Sequence, residues 1–207
     1  LETAGFLPES VNIVAMSHLH FDHAGGLLRT DGERAFPYAK IVAQISEVWM
    51  SLTGIFNSHL IMAAAVARYG TEAQKKKFLP KFASGEIRGG LALTEPDCGT
   101  DLQAIRTRAV KDGKDYVVNG TKTWISNANQ ADVVIVYAFT DKSKGGKGLS
   151  AFIVELKNFN GIKTTDLDKM GSYSSPTGEI FFDNTRVPKE NLLGAVGDGA
   201  KIVFGSL

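Results

Sequence analysis

Two short runs hold side chains able to act together on one ligand. Leu91-Ala-Leu-Thr-Glu-Pro-Asp-Cys-Gly-Thr-Asp101 reads as a strand that stops at Pro96 and opens into a loop of small residues. Proline has no N–H for a ladder and pushes its predecessor toward extended backbone. Thr123-Trp-Ile-Ser-Asn127 reads as the far arm of a hairpin, because Asn119-Gly120 separates Tyr116-Val-Val from Thr121-Lys-Thr-Trp-Ile. Side chains alternate along a strand, so Trp124 and Ser126 share one face, as do Ala92 and Thr94. An aromatic plate, two hydroxyls and a glycine loop suit a planar, phosphate-bearing cofactor. The ring stacks, and amides and hydroxyls hold the polar rim. Taken alone, Trp124 reads more simply as a sheet-core residue and Ser126 as a turn hydroxyl.

A third run has a different chemistry. Ser17-His-Leu-His-Phe-Asp-His-Ala-Gly-Gly26 follows a short apolar strand, Val11-Asn-Ile-Val-Ala-Met. His18 and His20 are two apart and point the same way on extended backbone. Asp22 and His23 follow as the chain turns. Imidazoles and a carboxylate at this spacing suit zinc or a similar divalent metal. Two imidazoles do not close a tetrahedral site alone, and His59 is the sole later histidine. Polar residues with no metal remain the simpler reading.

The elements that must position these runs follow from the pattern. Trp49 to Tyr69 reads as a largely apolar helix stopped by Gly70. Thr71-Glu-Ala-Gln74 is a capping box opening a second helix, which should run to about Phe78 before Pro80 breaks it. From Arg88 the chain turns to short strands: residues 106–110, 116–118, 121–125, 133–139, 149–156, 162–165 and 179–182. Asp112-Gly113 and Asn119-Gly120 are the expected hairpin turns. This spacing predicts an antiparallel sandwich or barrel, and with the helices an α+β chain. His59 and the carboxylates Glu95, Glu179 and Glu190 read as structural.

Bulk properties exclude several classes. The 207 residues suffice for one or two domains, with 43% hydrophobic and 22% charged residues. A net charge of +1 gives no case for nucleic acid or an anionic membrane. The longest apolar run, Leu60 to Ala67, is too short to span a bilayer. Cys98 alone excludes an internal disulfide framework and fits a reducing compartment, with the cytoplasm as the expected location.

Together the first two runs resemble the acyl-CoA dehydrogenase family. The likeness continues in Tyr69-Gly-Thr-Glu-Ala-Gln-Lys-Lys-Lys-Phe-Leu-Pro80, Ala83-Ser-Gly-Glu86, Lys169-Met-Gly171 and Arg186-Val-Pro-Lys-Glu-Asn-Leu-Leu-Gly194. The resemblance implies a partial N-terminal helical domain at 50–87, a central β domain at 88–195 and the start of a C-terminal helical domain at 196–207. It implies FAD as cofactor, held by Leu91, Leu93, Thr94, Gly99, Thr100, Trp124, Ile125 and Ser126. Trp124 would pack on the flavin ring, Ser126 would hydrogen-bond its reactive nitrogen and Thr94 would meet its pyrimidine edge. Thr100 would lie near the CoA moiety. The implied reaction is α,β-desaturation of an acyl-CoA thioester, with an electron-transfer flavoprotein as acceptor and a homo-oligomer as assembly. The family's base belongs to the C-terminal helical domain, and no residue here corresponds to it, so no catalytic residue is assigned and the chain reads as incomplete.

The third run is similar to the His-x-His-x-Asp-His motif of the metallo-β-lactamase superfamily, and Ala35-Phe-Pro-Tyr-Ala-Lys-Ile-Val-Ala-Gln44 to its next strand. In that resemblance His18 and His20 ligate one metal, and Asp22 and His23 a second. Residues 1–49 thus read as a metallo-β-lactamase-like fragment joined near residues 45–51, an apparent chimera. The alternatives are a zinc-dependent hydrolase, also incomplete, and a β-domain fragment with no catalysis.

Overall fold

The computed structural model describes residues 13–15, 40–42, 50–170 and 175–206. The chain divides into two units, Leu1–Thr53 and Gly54–Leu207. In the first, β1 (Ile13–Ala15) pairs in parallel with β2 (Lys40–Val42), Ile13 opposite Lys40 and Ala15 opposite Val42. Each strand falls within a run that the sequence marks as a strand.

Helix α1 (Met50–Tyr69) ends where expected, and the Gly70 N–H closes on Val66 O at 2.9 Å. A Cβ at Gly70 would lie 2.5 Å from that oxygen, so glycine permits the stop. Helix α2 (Glu72–Ser84) opens on the predicted capping box, with Thr71 and Gln74 each accepting the other's backbone N–H. It does not stop before Pro80. The helix runs through the proline to Ser84, and Gly85 caps it at φ 74°. Interior proline costs roughly 3 kcal/mol. Burial of Gln74, Phe78 and Phe82 along one face outweighs it. His59 of α1 is structural: its Nδ1 accepts from Gly89 N–H at 3.0 Å, and its Nε2 lies 3.2 Å from Phe82 O.

Eight strands make one sheet: β3 (Gly89–Ala92), β4 (Arg108–Asp112), β5 (Asp115–Ser126), β6 (Val133–Phe139), β7 (Leu149–Glu155), β8 (Ile162–Asp166), β9 (Thr177–Pro188) and β10 (Leu192–Leu193). The order is β10-β7-β6-β4-β5-β9-β8, with β3 beside β6. Helix α3 (Gly199–Ser206) follows. The expectation of a wholly antiparallel sheet is corrected, because β3 pairs with β6 in parallel along its length. Turn chemistry reports only neighbouring strands; the β3–β6 pair joins segments far apart in sequence. All seven residues of β6 are buried. Val133, Ile135, Tyr137 and Phe139 join a core that includes Met62 and Val66 of α1, Phe78 of α2 and Ile202 of α3. Val134, Val136 and Ala138 join the other, with Val118 and Ile125 of β5 and Ile180 of β9. A strand covered on both faces reads as a continuous apolar run.

Asp112-Gly113 is a hairpin turn as expected, with Asp112 opposite Asp115 and Gly113 at φ 61°. Asn119-Gly120 is not. β5 runs unbroken for 12 residues, with a register shift against β9 between Val118 and Gly120. Gly120 sits at φ 151°, and a Cβ there would lie 2.4 Å from Thr107 Oγ1. Glycine is needed here for the close approach of Thr107, opposite a bulge in β9 where Asn184 sits at φ 50°, and such a site shares the composition of a turn.

An unbroken β5 carries Lys122 to the buried side with Tyr116 and Val118. Lys122 has no exposure; its Nζ donates to Glu95 Oε1 at 2.7 Å and to Leu93 O at 3.0 Å. Glu95, also buried, accepts from Arg106 N–H (2.6 Å), Thr107 N–H (3.1 Å) and the Thr107 hydroxyl (2.5 Å). Burial alone would raise the Glu95 carboxyl, but the Lys122 charge and these donors hold it below its ordinary value. Burial pushes Lys122 down, with Glu95 opposing.

Two outcomes follow from these close fits. Gly120→Ala should lower unfolding stability by about 2 kcal/mol, through the clash with Thr107 and the strained φ; a urea midpoint equal to wild type would refute the close fit. The second concerns acid. The folded carboxyl of Glu95 titrates below the ordinary 4.5, so its contribution is present above that value and is lost as pH falls through the lower folded one. Between about pH 7 and about pH 3 the urea midpoint should fall more steeply in wild type than in Glu95→Gln. Equal slopes would show that Glu95 carries no acid linkage.

Candidate functional site

The two chemistry-bearing runs meet. β3 leaves its ladder after Ala92, and Leu93 and Thr94 pass beside β5, where Thr123 N–H donates to Thr94 O at 2.9 Å. Glu95 and Cys98 then exchange backbone hydrogen bonds, Glu95 N–H to Cys98 O (2.9 Å) and Cys98 N–H to Glu95 O (3.1 Å). Pro96-Asp97 is the turn between them. Its exposed Asp97 carboxylate pairs with Arg106 Nη1 at 3.0 Å, so that charge is compensated. The Cys98 thiol is buried and reaches Asp101 O at 3.1 Å. Burial, then the charge of Glu95, raises its pKa and keeps it an unreactive thiol.

Gly99 and Thr100 are exposed at the end of this loop. A Cβ on Gly99 would meet nothing within 4 Å, and its φ is not left-handed. Neither packing nor backbone within the chain requires glycine there, which leaves room for a group from outside.

Trp124 is 63% exposed and sits at φ 57°. A left-handed backbone costs a non-glycine residue roughly 1–2 kcal/mol. The strand shifts register between Lys122 and Ile125, and Lys122 and Thr123 are both buried. Trp124 is exposed, Ile125 buried and Ser126 half-buried. The regular alternation behind the expected common side of Trp124 and Ser126 is thus broken at Trp124 itself. The Thr123 hydroxyl donates to Glu179 at 3.2 Å, so that carboxylate is occupied.

Of the eight residues read as cofactor-binding, Thr94, Thr100, Trp124 and Ser126 present exposed or half-buried side chains, and Gly99 an exposed backbone, on adjoining segments. Leu91 and Leu93 are half-buried and pack against the helix-side core. The Ile125 side chain is 2% exposed and belongs to the opposite core, so only its backbone is available. The exposed Trp124 corrects the simple reading of that residue as sheet core. Lys122 and the part played by Glu95 escape a reading of the sequence, because a turn at Asn119-Gly120 divides the strand. The signal was present: Tyr116, Val118 and Lys122 fall on even positions of one strand. His18, His20, Asp22 and His23 lie outside the described residues. Among the described residues no group of three or more His, Cys, Asp or Glu is placed to hold a metal. No helix of the described residues is long and apolar enough to cross a membrane.

Comparison with known proteins bears on the whole of this region. Residues 90–185 match the acyl-CoA dehydrogenase middle domain, and residues 24–86 match the N-terminal domain. The second match begins within the segment read as metallo-β-lactamase-like, just after His23. Glutaryl-CoA dehydrogenase of Desulfococcus multivorans is 58% identical over 145 residues, which are 70% of this chain and 37% of the relative. A solved glutaryl-coenzyme A dehydrogenase in complex with glutaryl-CoA shares the fold at a TM-score of 0.73 and 54% identity, over 75% of this chain and 40% of that one. A solved FAD complex of PigA does so at 0.72 and 31%, over 76% and 41%. The chain thus spans about two fifths of the length of these relatives. On these matches, this chain carries the N-terminal and middle domains of the acyl-CoA dehydrogenase family.

Proposed function

We propose that this chain is the flavin- and thioester-binding part of an FAD-dependent acyl-CoA dehydrogenase. The observation that carries the reading is Trp124, an exposed aromatic in strained backbone, next to the bond from Thr123 N–H to Thr94 O. Strain of this kind persists where surrounding structure enforces it, and it gathers at ligand sites. The relatives act on acyl-CoA, and the PigA neighbour holds FAD.

FAD, when bound, supplies the acceptor for the hydride that leaves the carbon β to the thioester. Trp124 offers a flat apolar face for its ring, while the Ser126 and Thr94 hydroxyls offer hydrogen bonds to its polar edge. Gly99 and Thr100 border the path of the CoA moiety. Leu91, Leu93 and Ile125 shape the site through backbone and core packing. Removal of the α-proton needs a positioned base. Among the described carboxylates of this region, Glu95 is committed to Lys122 and Glu179 to Thr123, so neither is assigned that task. By the same resemblance, the family's electron acceptor is an electron-transfer flavoprotein and its assembly a homo-oligomer, while the lone Cys98 fits a reducing compartment such as the cytoplasm.

A second reading concerns residues 1–49 as a metallo-β-lactamase-like fragment carrying zinc on His18, His20, Asp22 and His23. β1 and β2 pair in parallel on either side of that motif, and parallel neighbours need a long crossover. Elemental analysis after dialysis tests it: stoichiometric zinc lost in His18→Ala/His20→Ala supports it, and zinc-free protein sinks it.

For the flavin, the purified chain should be incubated with FAD, freed of unbound ligand and read by visible absorption. A retained band shifted from that of free FAD is expected, with affinity about tenfold weaker in Trp124→Ala, equivalent to about 1.4 kcal/mol. A colourless protein with an intact unfolding transition would overturn the proposal for this chain.

A further inference from the structure

β3 ends at Ala92, yet the chain stays beside β5 through Glu95. Two bonds hold it there. One is from Thr123 N–H to Thr94 O at 2.9 Å. The other is from the Lys122 ammonium to Leu93 O at 3.0 Å. That ammonium is kept in place by Glu95, one residue beyond Thr94, at 2.7 Å. Glu95 is itself gripped by Arg106 N–H and by the Thr107 amide and hydroxyl. A neutral core would support this sheet without desolvating a lysine, which is expensive in free energy. The lysine does something that an apolar residue of equal volume does not: it donates simultaneously to a backbone carbonyl and a carboxylate two residues apart. The segment thus held contains Thr94 and leads into the loop with Gly99 and Thr100.

We propose that Lys122 is a positioning residue for the cofactor site, setting the Leu93–Glu95 backbone from which Thr94 faces the flavin. This rests on the flavin reading above, and Lys122 itself touches no ligand in it. Its side chain is buried and works through Leu93 O and Glu95, while Trp124 is exposed and Ser126 half-buried. Glu95 serves as the anchor of the lysine.

The test compares Lys122→Met/Glu95→Gln with Glu95→Gln alone. In the single variant the ammonium still reaches Leu93 O and an amide oxygen at position 95. Stability falls, but Thr123 N–H stays protected from hydrogen exchange and flavin affinity stays within about threefold of wild type. In the double variant no charge is stranded, so the urea midpoint returns toward wild type. Leu93 O has nevertheless lost its donor. Thr123 N–H should then exchange at least about tenfold faster, and FAD should bind at least about tenfold more weakly, despite recovered stability. Protection and affinity that recover together with the midpoint would overturn the proposal and leave Lys122 as core support. A double variant that does not fold would overturn it as well. Wild-type protein that binds no FAD sinks the functional reading alone. Amide exchange then still decides whether Lys122 sets this backbone.

Discussion

A lysine ammonium shut away from water, 2.7 Å from the Glu95 carboxylate, constrains more of this chain than any other described polar contact. The two side chains and their partners tie three segments together: the run after β3, the Arg106-Thr107 entry to β4, and the middle of β5. Isolated burial of either charge would cost several kcal/mol. Their mutual attraction and the surrounding donors offset this without large net gain. Such a pair is therefore weak as a stabiliser and strong as a specifier. Any register of β5 that moves Lys122 off the buried side leaves Glu95 and the amides of Arg106 and Thr107 unmatched. Gly120 belongs to the same constraint, since its lack of a side chain lets Thr107, a partner of Glu95, approach β5 closely.

Around this pair the apolar core is divided between two sides of β6 and β7. On one side α1, α2 and α3 cover the odd-numbered residues of β6. On the other, β5 and β9 cover the even-numbered ones. Polar ties join the layers at their edges. His59 links α1 to the start of β3 and the end of α2, and the Gln74 amide donates to Glu190 O and Leu192 O. Stability thus comes mainly from two apolar layers, while a few buried polar groups select how the strands meet. Trp124 is left out of both layers. The strand turns left-handed there, Ile125 enters the core, and the indole remains in solvent. A large aromatic side chain held away from the core, at a cost in backbone strain, makes sense when something else covers it.

Much of this was legible from local chemistry. The capping box at Thr71–Gln74, the stop at Gly70, the Asp112-Gly113 hairpin and the strand at 133–139 each depend on a few adjacent residues, and each stands as predicted. Pro80 and Asn119-Gly120 misled for a common reason. Proline and glycine report what the backbone permits at one position, whereas the outcome depended on groups distant in sequence. Phe78 and Phe82 had a core to enter, and Thr107 stood against Gly120. The site shows the same division. Thr94, Gly99, Thr100, Trp124 and Ser126 are exposed or half-buried on adjoining segments, whereas Ile125 is buried and the closure of Lys122 on Glu95 went unnoticed.

The amino-acid sequence by itself determined the periodic elements, the turn at Gly113 and the residue types of the two runs that form the candidate site. These follow from neighbouring backbone sterics and from hydrophobic spacing, both local properties. Tertiary structure alone decided that β3 lies parallel to β6, that Asn119-Gly120 continues a strand, and that Lys122 closes on Glu95 and Leu93 O. A strand partner or a buried charge pair is chosen by the free energy of the assembled core, summed over segments tens of residues apart. No short window of sequence contains that sum.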